Sequence, residues 1–185
     1  MKAVWSIVVF ALAAWVQASP PDLDAIRHVK QASGFVVISL YPSDAELVDL
    51  HGNRTGAFKD SERFHGFPIL GKVGALSEAE LLRVREALVE TLRPVQEDRA
   101  PSLCFFPRHG ICVENPGVHV DILLCFECGE ARIICRKPEG TRSVIIGIGP
   151  EADEVLSALL DDRHVPRDRP KAKASTAPPK KHRKN

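Results

Sequence analysis

Two rhythms of apolar and polar positions run along this chain, one of helical and one of strand period, and the switches between them mark out its elements. From Asp22 to Ala32, Leu23, Ile26 and Val29 recur at helical spacing. Phe35-Val-Val-Ile-Ser-Leu-Tyr41 is β-branched and apolar, is bounded by Gly34 and Pro42, and predicts a buried strand. Ser43 to Asp60 is polar and rich in turn formers, which predicts a loop. Phe67, Ile69, Leu70 and Val73, set among glycines, predict a second strand within Phe64–Ala75 that bends at its glycines. The clearest helix follows. Ser77 and Glu80 have capping-box spacing, Leu81, Val84, Leu88 and Leu92 form one apolar face, and Pro94 stops the run.

Beyond Leu103 the strand period takes over. Leu103–Phe106 and Ile111–Glu114 flank a Pro107-Arg108-His109-Gly110 turn, and Val118–Phe126, Ala131–Arg136 and Ser143–Ile148 follow as short strands. Asn115-Pro116-Gly117-Val118 is strong turn chemistry, because proline presets φ and glycine accepts a positive one. A two-residue loop at Pro116-Gly117 pairs residues whose numbers sum to 233, and a one-residue adjustment gives 232. Gly149-Pro150 opens a last helix whose apolar face is Val155, Leu156, Leu159 and Leu160. Strands grouped rather than alternating with helices predict a single α+β domain: a mainly antiparallel sheet, a meander after residue 100, covered by two or three helices.

Composition changes the picture at the two ends. Met1-Lys2, an apolar run from Val4 to Val16 and the small-residue site Val16-Gln17-Ala18 have the three-part pattern of a secretory signal peptide, cut after Ala18. That makes residues 1–18 a leader, residues 19–162 an exported domain, periplasmic or extracellular, and the mature protein free of a membrane span. The net charge of +1 hides an asymmetry. Residues 163–185 carry nine Lys/Arg against one acid and have almost nothing to bury, which predicts a disordered basic tail. Charge alone suits such a tail to an anionic polymer or an acidic partner, although the sequence identifies no partner.

Candidate chemistry is concentrated between Cys104 and Cys128, which span four of the five cysteines. The hairpin register brings Cys104 opposite Gly129 or Cys128, and a bulge at Pro107 leaves a Cys104–Cys125 pairing open. Cys104, Cys125 and Cys128 are therefore the disulfide candidates in an oxidising compartment. Cys112 and Cys135, in apolar strand contexts, read as buried thiols. Cys104, His109, Cys125 and Cys128 have ligand types that suit zinc, but strand parity separates Cys104 from His109. Cys125-x-x-Cys128 is also a thiol-exchange pattern, here after a strand rather than at a helix start. Arg108-His109-Gly110 matches a histidine-phosphatase tripeptide, yet the following Ile-Cys-Val reads as strand, where that chemistry needs a helix. His65 and Arg108 remain as further candidate polar site residues, in a glycine-rich bend and a hairpin corner, with Gly110 expected for its backbone freedom.

Phe64-His65-Gly66-Phe67 with Leu70-Gly71-Lys72, Cys104-Phe105 with Pro107-Arg108-His109-Gly110, and Val120-Asp121 with Cys125-Phe126-Glu127-Cys128 together resemble a group of small exported, uncharacterised bacterial proteins. The resemblance covers Phe35 to Leu160 and implies bacterial export and one α+β domain; it implies no activity. Two functional classes follow. One is a non-catalytic binding or structural module with a cysteine-stabilised hairpin and no cofactor. The other is a metal- or thiol-dependent enzyme or sensor using Cys104, His109, Cys125 and Cys128, with zinc as its cofactor.

Overall fold

The strand with the densest apolar sequence lies in the interior of the sheet. In the computed structural model, which describes residues 21–42, 47–48, 54–55, 58, 60–93 and 105–168, β1 (Gly34–Leu40) has a neighbour on each side. In chain order the other strands are β2 (Leu47–Val48), β3 (Arg54–Thr55), β4 (Arg63–Phe64), β5 (Phe67–Val73), β6 (His109–Asn115), β7 (Val118–Cys125), β8 (Glu130–Lys137) and β9 (Gly140–Gly147). Seven of them form one sheet in the order β4-β5-β1-β6-β7-β8-β9, with every described pairing antiparallel. β2 and β3 form a separate ribbon inside the segment read as loop. The leader, Cys104 and the chain beyond Asp168 lie outside the described residues, and no described helix is long and apolar enough to cross a membrane.

Three helices, α1 (Pro21–Lys30), α2 (Glu78–Thr91) and α3 (Glu151–Asp162), bury their apolar stripes on one face of the sheet. This is the α+β architecture that the pattern predicts. α2 starts with the capping box in full: Glu80 N–H donates to Ser77 Oγ, and the Glu80 carboxylate accepts from Ser77 N–H. The Ser77 backbone N–H, then its hydroxyl and then Arg163 hold that carboxylate down at about 2. α2 and α3 are joined at their ends by Thr91, whose hydroxyl accepts from Ala152 N–H at 2.7 Å. That contact satisfies one of the free amides at the start of α3, where Pro150 supplies no side-chain cap.

The register across β6 and β7 is Asn115↔Val118 through His109↔Leu124, the 233 sum expected from Pro116-Gly117, with Gly117 at φ 75°. Even-numbered Val120, Ile122 and Leu124 therefore face the helices, while Asp121, Leu123 and Cys125 face away. Two features of this region differ from the sequence reading. Pro107-Arg108-His109-Gly110 is no hairpin corner: His109 and Gly110 already belong to β6, and Arg108 carbonyl accepts from Leu40 N–H as β1 runs alongside. The chain from Arg163 to Asp168, assigned to the tail by composition, lies along the body. Arg163 pairs with Glu80, Arg167 forks onto Asp161, and Pro166 carbonyl accepts from Ser39 Oγ.

Candidate functional site

Strand alternation decides which side chains share the face away from the helices, called here the open face. Val36, Cys112, Asp121 and Ile134 form one lateral row across four strands, and Gly34, Glu114, His119 and Arg136 form the next. Asp121 is the anomaly. It is 3% exposed in the middle of a strand whose neighbours are apolar and buried. A carboxylate left alone there would cost roughly several kcal/mol, so its partners hold the site together.

Three groups supply them. His65 Nε2 lies 2.8 Å from Asp121 Oδ2 and donates to it, Arg136 Nη2 donates to the same oxygen, and the Cys112 thiol directly across the ladder donates to the carboxylate as well. Burial first, and then Asp121, pushes the Cys112 thiol up to about 12. At neutral pH it is a hydrogen-bond donor and not a thiolate nucleophile.

His65 reaches Asp121 from far away in the sheet order. It stands at the tip of the β4–β5 hairpin, with β1 and β6 between that hairpin and β7. The two-residue loop His65-Gly66 has φ values of 49° and 96°, the left-handed pair that matches the twist of a tight hairpin. The hairpin folds over the open face, and the Phe64 ring rests on Gly110. A Cβ at position 110 would lie 2.8 Å from that ring, so Gly110 is explained by close approach rather than by backbone freedom. Phe64, Ile38, Leu40, Phe67, Leu123 and Ile134 form a small second core under the hairpin. Between the hairpin and the β6–β7 turn the open face forms a groove of about 830 Å³. Val36 and Ile38 lie in its floor, Lys72 and Glu62 pair at 2.5 Å on one wall, and Glu114, His119 and Arg136 line the other side.

A second polar cluster lies on the helix side. His109 is 3% exposed, with Nε2 3.4 Å from Ser157 Oγ and Nδ1 3.9 Å from the Asp153 carboxylate. Burial, followed by Arg167 and Arg108, brings His109 down to about 4, so it is neutral at physiological pH. Arg108 pairs with Glu127 at 2.8 Å and with Asp168 at 3.1 Å. Burial works against its charge, but these two carboxylates outweigh it and raise the guanidinium above its ordinary range.

The predicted site residues are thus divided. Cys125 and Cys128 are bonded to each other across the four-residue turn Phe126–Gly129, with Cα atoms 5.3 Å apart. Cys128 belongs to the turn and not to a strand, which lets its side chain meet that of Cys125. Neither cysteine is therefore available to Cys104 in this state, and the register that pointed to Cys104 ends at His109↔Leu124. Of the proposed zinc ligands Cys104 lies outside the described residues, His109 faces the helices and Cys125 the open face, and no group of three or more metal-binding side chains occurs among the described residues. Cys112 and Cys135 are partly rather than fully buried. His65 joins the groove, and Arg108 lies on the other cluster. Asp121 and Arg136 were not singled out, although an aspartate interrupting the apolar run Val120–Leu123 is a visible signal. No known family model, curated protein or solved structure matches this chain.

Proposed function

We propose that the protein is an exported, non-catalytic binding module whose ligand occupies the groove on the open face of the sheet. The observation that carries this reading is the folded-over β4–β5 hairpin, which turns one half of a sheet face into a concave site of about 830 Å³. The chemistry of the site supports binding over turnover. Asp121 is engaged by His65, Arg136 and Cys112, which leaves it poorly placed to act as a general base, and Cys112 retains its proton. What the groove offers a ligand is an apolar floor at Val36 and Ile38 beside half-exposed polar groups at Arg136 and Lys72.

The test is a screen of small polar fragments by amide chemical-shift mapping. Hits should cluster at Val36, Cys112, His119, Asp121 and Arg136, and should weaken about tenfold in Arg136→Ala, the loss of one charged hydrogen-bonding partner. Hits confined to the helix side, or unaffected by Arg136→Ala, would overturn the assignment.

A further inference from the structure

The turn closed by Cys125 and Cys128 carries two side chains that both reach the start of β6. The Phe126 ring packs edge-on against the His109 ring, with centroids 5.6 Å apart, and is partly buried against the helix-side core. Glu127 holds Arg108 at 2.8 Å. The two cysteines differ in access: Cys125 is 1% exposed, whereas Cys128 is partly open to solvent. One cysteine reachable from outside and its partner buried is the asymmetry that directs attack to one end of the bond.

We propose that the Cys125–Cys128 disulfide is a redox-exchange site, open to a dithiol reductant at Cys128, and that its state controls whether His109 is buried. A thiolate of the reductant attacks Cys128 Sγ; the disulfide breaks, and its electron pair leaves on Cys125 Sγ, which takes up a proton. The second thiol of the reductant then displaces Cys128 from the mixed disulfide. The protein gains two electrons and two protons, and the reductant leaves as its own disulfide. Without the cross-link the Phe126–Gly129 turn loses its covalent closure, and Phe126 is freed from its place over His109.

The consequence falls on the imidazole because burial is the first reason that it stays neutral. The charged groups around it are Arg167 and Arg108, which disfavour its protonation, and Asp153 at 3.9 Å, which favours it. Hydration lifts the penalty that burial places on the charged ring, so His109 gains affinity for a proton even with both arginines in place. Reduction is thereby converted into a change in the pH at which a core histidine becomes charged.

The experiment is NMR of imidazole-labelled full-length protein with and without dithiothreitol, with peptide mapping to confirm the state of Cys125 and Cys128. Reduction should abolish the Phe126–His109 contact and raise the titration midpoint of His109 by about one unit or more. Phe126→Ala in the oxidised protein should produce the same rise without any change in the thiols. A reduced protein that keeps the ring contact and the midpoint, or a disulfide that resists dithiothreitol in the folded state, would overturn the proposal.

Discussion

His109 on one face of the sheet and Asp121 on the other are each 3% exposed, and the fold surrounds them in opposite ways. On the helix side, His109 is desolvated, has a carboxylate no nearer than 3.9 Å at Nδ1 and is opposed by Arg167 and Arg108, and it gives up its charge. On the open side, Asp121 collects an imidazole, a guanidinium and a thiol, with two of the donors on a single oxygen. Equal burial therefore does not mean equal surroundings; the partners that the fold delivers to each group set them apart. A face covered by helices has only what those helices carry. A face covered by a two-residue hairpin tip receives whatever that tip is built to hold, and here it holds His65.

The sharpest way to break the comparison is through the apolar residues. Leu156, fully buried where α3 meets the sheet, should cost about 4 kcal/mol when replaced by alanine, from lost transfer energy and the cavity left behind. Ile145, 51% exposed on the open side of β9, should cost less than about 0.5 kcal/mol in the same substitution. Urea denaturation of both variants measures the difference, and similar losses would mean that the open face is covered after all.

The second effect concerns acid. His109 has a folded value of about 4 against an ordinary 6.5, so the unfolded chain binds its proton more readily than the folded one does. The stability contributed by the neutral imidazole is complete above about pH 6.5 and is lost as pH falls towards 4. The loss is at most about 3 kcal/mol, from 1.36 kcal/mol per unit of difference. His109→Gln should flatten that part of a stability–pH curve; an unchanged slope between pH 6.5 and 4 would contradict the assigned burial.

The smallest effect sharpens the account of the hairpin. Gly110→Ala should cost about 2 kcal/mol by forcing the Phe64 ring off the strand, and it should increase hydrogen exchange at Phe67. Phe64→Leu introduced into Gly110→Ala should recover part of the loss, because the obstruction is that ring. If the two substitutions are simply additive, the hairpin does not rest on Gly110.

Local signals were legible in the sequence and long-range ones were not. Ser77 and Glu80 announced the start of α2, and Pro116-Gly117 set a register that holds from Asn115 to His109, because each depends on residues only a few positions apart. From that register alone, Cys112 opposite Asp121 was already implied. His65 meeting Asp121 was not, because it depends on the β4–β5 hairpin curling back over two intervening strands, which no periodicity encodes. Gly110 was given the wrong reason on the same account: the Phe64 ring that excludes a side chain there arrives from 46 positions earlier. The Cys125–Cys128 bond was not the pairing favoured, because the hairpin register drew attention to Cys104, whereas the bond depends on the turn that follows β7.

The position of β1 also has a consequence for the order of assembly. β6 to β9 are successive hairpins whose partners are close in sequence, so this half of the sheet closes short loops and can form quickly. β1 is made first, yet one of its two edges waits for β6: Val36 pairs with Cys112, which enters the chain 76 residues later. During synthesis, an apolar strand therefore waits with one edge unfilled while these residues are added, and the finished protein hides in its interior the segment most in need of a chaperone.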